Sequence, residues 1–131
     1  MQLDRDALLK AYRNMKIIRS FEDRLHVEIK TGEIAGFTHL YAGQEAVAVG
    51  VCELLDDDDK IVSTHRGHGH CLAKGCDVKG MMKEIYGRAD GLAKARVVPC
   101  TSPILKKVCW APMASSGLEL QLRLAQPCPA N

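Results

Sequence analysis

The chain reads as an α/β protein, in which helices pack against a strand of a parallel sheet. Three observations predict that class. Residues 4–30 carry an amphipathic helical period, residues 60–64 form a short strand with polar residues gathered at its carboxyl end, and residues 77–86 repeat the helical period. The resulting order of helix, loop, helix, strand and helix suits a layer whose functional loop leaves the carboxyl end of a strand. Only one convincing strand is present, so most of the sheet is missing from these residues.

In the first helix, Leu8, Tyr12, Met15, Ile18, Phe21, Leu25 and Ile29 recur every third or fourth position and define one face. Asp4 and Asp6 suit its start and Gly32 its C-terminal cap. Arg13, Lys16, Arg19, Glu22 and Asp23 are expected on the solvated side. Residues 33–41 are a loop. A second helix is expected from Gly43 to Leu55, packing through Ala46, Val47, Val49, Gly50 and Val51. Asp56 to Asp59 lack the alternating ligand spacing of a calcium loop and read as a solvated turn. The last helix, Asp77 to Tyr86, turns Val78, Met81, Met82 and Ile85 inward, its methionines filling core space, and Gly87 ends it.

Composition breaks sharply at Lys94. All 5 histidines and ten of the 11 glycines precede it, whereas all 5 prolines and the single tryptophan follow it. With 131 residues the chain has room for one small domain. If only residues 1–94 are native-like, a subunit fragment leaning on partners is the better expectation. A net charge of +2 gives no field that would select nucleic acid or an acidic membrane. No apolar run reaches the roughly 18 residues of a membrane span, and the first residues lack a signal core. The expected location is cytoplasmic, with the 6 cysteines as reduced thiols.

The densest polar cluster is Ser63-Thr64-His65-Arg66-Gly67-His68-Gly69-His70-Cys71. Three readings compete. His65, His68, His70, Cys71 and Cys76 are zinc-capable types, but their spacing matches no standard zinc pattern and Arg66 adds an adverse charge. The histidines also fit a merely exposed polar loop. The third reading is an anion site, in which Arg66 supplies a forked donor and Gly67 and Gly69 let backbone amides approach a phosphate. A following helix would add its positive end, and the histidines would exchange protons near neutral pH. A second candidate loop, Gly36 to Ala46, holds His39 between aromatics. Taken alone, His39 is more often a structural histidine than a catalyst.

Together these loops resemble a known family. IIRSFEDRL, GFTHLYAGQEAVAVGV, DKIVSTHRGHGH and KGMMKEIYGRADGL, spread over residues 7–94, are similar to the alpha subunit of the thiamine-diphosphate-dependent dehydrogenase component of 2-oxo-acid dehydrogenase complexes. STHRGHGH, with His65 where pyruvate-type relatives carry tyrosine, looks most like the acetoin dehydrogenase branch. The resemblance implies the N-terminal part of a thiamine-diphosphate-binding fold. It further implies that Arg66 and His65 contact the cofactor's diphosphate, that Phe37 and His39 lie near its reactive end, and that His68 lines the same entrance, with His39 and His68 as the proton-handling groups. The implied chemistry is cleavage of a carbon–carbon bond next to a carbonyl in acetoin or pyruvate, with thiamine as electron sink. The two-carbon unit then passes to the lipoyl group of a separate acyltransferase. An α2β2 assembly with a beta subunit is implied as well.

Past Lys94 the family continues with a glycine-rich stretch beginning GKGGSMH, and this chain does not. Regrouping possible codons for Ala95 to Glu119 by one base yields GKGGSMHIADLEKGMLGANGIVGAG, a family-like continuation. Residues 95–131 are therefore expected to be an out-of-frame, disordered tail, in which neither the alternating Leu118, Leu120, Leu122 and Leu124 nor Cys100, Cys109 and Cys128 carry functional weight. The family's magnesium ligands, a Gly-Asp-Gly motif and a downstream asparagine, are not supplied by this tail, and no metal-binding residue is assigned in the chain. Its expected activity as written is nil, with subunit association at most.

Overall fold

The structure, a computed structural model, describes residues 4–34, 36–56, 58–59 and 61–92 and the strand backbone at 108–110. The elements are α1 (Arg5–Ile29), α2 (Glu45–Cys52), β1 (Ile61–Ser63), α3 (His68–Ala73), α4 (Val78–Ile85) and β2 (Val108–Trp110). Helix α1 starts where Asp4 Oδ1 accepts from Ala7 N at 2.7 Å, a cap worth about 1 kcal/mol. It ends where Gly32 takes up φ 79°, in the left-handed region. Asp77 caps α4 in the same way, its Oδ2 accepting from Gly80 N at 2.6 Å.

Helices α1, α2 and α3 pack against one another around Ile18, Phe21, Leu25, Tyr41, Ala48, Val49, Cys71 and Leu72, and Met81 and Ile85 of α4 close the same core. Each fully buried aliphatic side chain contributes about 1.5–3 kcal/mol by leaving water. The methionine expectation holds for Met81, which is buried, and for Met82, which packs at the core's edge. Cys52, Cys71 and Cys76 are buried.

Several side chains face the other way from the sequence expectation. Glu22, placed on the solvated side by its charge, is 0% exposed. Its position explains this: residues 18, 22 and 25 are spaced by four and three, so Glu22 shares the stripe of Ile18 and Leu25. Leu8 and Tyr12 extend that face in sequence, yet both are exposed; the core engages α1 at Ala11, Met15, Ile18, Phe21, Leu25 and Ile29. In α2 the buried stripe is Glu45, Ala48, Val49 and Cys52, whereas Ala46, Val47, Gly50 and Val51, expected to pack, are exposed. Val78 is exposed too. Helix α2 is also shorter than expected, since Gly43 sits at φ 94° outside the helical region.

The single expected strand acquires a partner. Strand β2 pairs with β1 in parallel, with Ile61 opposite Val108, Val62 opposite Cys109 and Ser63 opposite Trp110. It falls within the stretch expected to be disordered. An edge strand presents unpaired N–H and C=O groups that template any extended β-forming segment, and Val-Cys-Trp is such a segment. The alternating leucines at 118–124 lie outside the described residues. In the acidic run, Asp56 Oδ1 accepts from Asp58 N at 2.9 Å and from Asp59 N at 3.1 Å, and all three residues are exposed. Among the described residues no helix is long and apolar enough to cross a membrane.

Candidate functional site

The two candidate loops meet above α1, each tied to that helix by a charged side chain. Arg19 of α1 donates from Nε to Glu45 Oε1 at 2.6 Å, and Gly43 N donates to the same oxygen at 3.0 Å. Those bonds hold the Glu45 carboxyl down at about 2, the Arg19 bond being the largest cause, against the opposing effect of burial. The carboxylate thereby joins the end of the 36–43 loop to α1 at the first turn of α2. One helical turn along α1, Glu22 Oε1 lies 3.0 Å from His68 Nδ1, anchoring the second loop. Both side chains are buried.

The second loop is not wholly a loop. Its polar residues run from the end of β1 directly into α3, which starts at His68. Two glycines in and around a six-residue helix give it little propensity of its own, so it is held by packing of Cys71 and Leu72. Gly69 is required by a close approach, because the ring of Tyr41 from the first loop lies directly over it.

His39 and His65 come together. Their rings meet edge to face, with centroids 4.7 Å apart and planes at 80°, and both are half-buried. Arg66, next in sequence, donates from Nη1 to the carbonyl of Leu40, which follows His39. That bond uses one of the five guanidinium donors. Phe37 is 88% exposed. His68 is 2% exposed, with its ring edge to face with Phe21 at 6.1 Å. Three of the five candidates, His39, His65 and Arg66, are thus brought together, and His68 is buried against Glu22 and Phe21. Thr38 Oγ1, between Phe37 and His39, is buried without a hydrogen-bond partner among the described residues.

Sequence reasoning missed His70 as a structural centre. Ser63 Oγ lies 2.6 Å from its Nδ1 and Tyr41 Oη lies 3.1 Å from its Nε2. Both ring nitrogens are therefore engaged, and burial pushes the imidazole pKa down. A neutral imidazole has one donor and one acceptor nitrogen, a pattern two hydroxyls can satisfy. This set welds the end of β1, the first loop and α3 together. Among the described residues no group of three or more His, Cys, Asp or Glu side chains is placed to hold a metal ion.

The sequence profile of the dehydrogenase E1 component matches residues 13–107. The alpha subunit of acetoin:2,6-dichlorophenolindophenol oxidoreductase from Cupriavidus necator is 58% identical over 91 residues, which is 70% of this chain and 27% of that protein. The corresponding subunit from Bacillus subtilis is 56% identical over 96 residues, covering 73% and 29%. The pyruvate dehydrogenase E1 component subunit alpha of Rhizobium meliloti is 47% identical over 88 residues, covering 67% and 25%. The chain thus spans between a quarter and a third of the length of these relatives. On the strength of the profile match, the chain belongs to the dehydrogenase E1 component family.

Proposed function

We propose that residues 1–94 are the N-terminal portion of the alpha subunit of a thiamine-diphosphate-dependent dehydrogenase of the acetoin or pyruvate type. The observation that carries this reading is the meeting of His39, His65 and Arg66 at one surface, together with relatives named for acetoin oxidation and for pyruvate dehydrogenase. Thiamine diphosphate supplies the electron sink that lets a carbon–carbon bond next to a carbonyl be cleaved. The residues present fit the group. Arg66 and His65 would take the diphosphate as charged and neutral donors, and the partnerless Thr38 hydroxyl offers a further polar contact in the loop. His39 would exchange protons near the reactive end, Phe37 would give that end an apolar wall, and His68 would act from its buried position.

The same reading brings a beta subunit, a lipoyl acyltransferase that receives the two-carbon unit, and a cytoplasmic location. Magnesium ligation falls to a Gly-Asp-Gly motif that the 131 residues do not contain. For that reason we propose that the chain as written does not turn over substrate. The test is to mix the purified chain with its beta partner, thiamine diphosphate and magnesium, and to follow acetoin-dependent dye reduction and cofactor binding. Absence of both, restored by a gene reading GKGGSMH after Lys94, supports the two proposals together. Turnover by the chain as written overturns its inertness. Absence of activity after frame correction, with both acetoin and pyruvate supplied, overturns the family chemistry.

A further inference from the structure

We infer that Glu22 is a positioning residue that fixes the tautomer of His68, keeping a proton on Nδ1 so that Nε2 is the nitrogen left to gain and lose protons. The inference rests on the reading of His68 as part of the candidate site. Its physical basis is the buried contact between Glu22 Oε1 and His68 Nδ1 at 3.0 Å, where the two side chains are 0% and 3% exposed.

A carboxylate only accepts hydrogen bonds, so the nitrogen facing it has to be the one bearing hydrogen. The opposite arrangement, a protonated carboxyl donating to bare Nδ1, places the proton on the weaker base. The surroundings favour the same choice. Glu22 Oε2 is buried without a partner among the described residues, so the contact with His68 is the one hydrogen bond the structure records for this carboxyl. Breaking it would strand a buried carboxylate, which is strongly unfavourable. The ring is further confined by Phe21, whose aromatic edge it meets. Glu22 sits mid-helix in α1, the longest element, and its own freedom is limited by Ile18 and Leu25 on the same stripe. A second ring nitrogen fixed as the exchanging one is what a proton-handling histidine needs, since a histidine's role depends on which nitrogen carries the proton.

The test uses the 131-residue chain with its histidines labelled with nitrogen-15, and reads long-range proton–nitrogen correlations at about pH 8.5, above the ordinary imidazole range. The His68 resonances are assigned by their loss in His68→Gln. We expect Nδ1 to appear as the protonated nitrogen and Nε2 as the bare one. In Glu22→Gln the amide can donate as well as accept, and the ratio of the two tautomers is expected to shift about tenfold toward the other form, the change equivalent to one pKa unit of differential interaction. A bare Nδ1 in the wild-type chain overturns the inference, as does an unchanged ratio in a folded Glu22→Gln. Should that variant not fold, the wild-type spectrum alone decides. Thiamine diphosphate is absent throughout, so a failure of the proposed cofactor chemistry leaves the result intact, and the two fail separately.

Discussion

The ring of Tyr41 occupies the space that a side chain at Gly69 would need: a β-carbon built there lies 2.1 Å from Cδ1 and 2.4 Å from Cε1. The two candidate loops are therefore in contact through the absence of a side chain. Tyr41 is nearly fully buried and its hydroxyl is engaged with His70, so the ring cannot yield without breaking that contact.

Gly69→Ala is accordingly expected to lower stability by about 2 kcal/mol or more, the range of overpacking in a filled core. Gly50 gives the control. Nothing lies within 4 Å of a β-carbon built on it and it is inside α2, so Gly50→Ala is expected to raise stability by about 0.5–1 kcal/mol. Urea unfolding followed by circular dichroism measures both, and equal effects at the two positions would refute the close approach.

His70 predicts a pH dependence. Burial lowers its pKa below the ordinary value, so the neutral form belongs to the folded state and the unfolded chain binds the proton more readily. The stability it contributes is complete above the unfolded pKa, near 6.5, and is lost as pH falls below that value through the folded pKa. Urea midpoints are expected to fall between pH 7.5 and about 5.5, less steeply in His70→Phe. Ser63→Ala and Tyr41→Phe each remove one hydroxyl partner and are expected to cost about 1 kcal/mol at pH 7.5.

Glu45 sets a second, more acidic window. Its carboxyl is lowered from 4.5 to about 2, first by the Arg19 hydrogen bond. A depressed carboxylate contributes stability that is present above 4.5 and lost as pH falls toward 2. Arg19 is 45% exposed, so water screens the pair and Arg19→Met is expected to lower stability only slightly at neutral pH. The informative comparison is between Glu45→Gln and the unmodified chain from pH 5 to about 2.5, where only the latter should show the Glu45 contribution disappearing. Parallel curves would remove the proposed coupling of α1 to the first loop.

Much of the fold was legible because its signals are local. The caps at Asp4 and Asp77 and the stop at Gly32 depend on one or two residues each, and the period of Ile18, Phe21 and Leu25 names the buried face of α1 directly. The candidate residues His39, His65 and Arg66 stand out in the sequence, and their meeting is what the structure adds. What could not be read were the partners. Glu22 reads as solvated until His68, 46 positions away, is brought against it. His70 reads as a possible metal ligand until Ser63 and Tyr41 occupy both nitrogens. Long-range pairs convert a polar residue from surface to core, and nothing in a local window records them. The Glu22 spacing was the one usable clue, because it falls on the apolar stripe.

The last prediction concerns the gene. Sequencing the locus is expected to show that reading one base over after the Lys94 codon gives GKGGSMHIADLEKGMLGANGIVGAG in place of the residues from Ala95 to Glu119. The physical argument is that before Lys94 the helix caps at Asp4 and Asp77 and the buried stripe of Ile18, Phe21 and Leu25 agree with one another. Selection enforces that agreement in a chain that folds. The composition changes after Lys94, where all 5 prolines and none of the 5 histidines fall. The exposed Leu8, Tyr12, Val47 and Val51 are apolar surface of the kind that further chain covers. Frame correction is therefore expected to raise the thermal midpoint and reduce binding of a hydrophobic dye, both measured on the two purified proteins. An intact gene that encodes Ala95 to Asn131 as written, with no gain in stability on regrouping, would show that the tail is native.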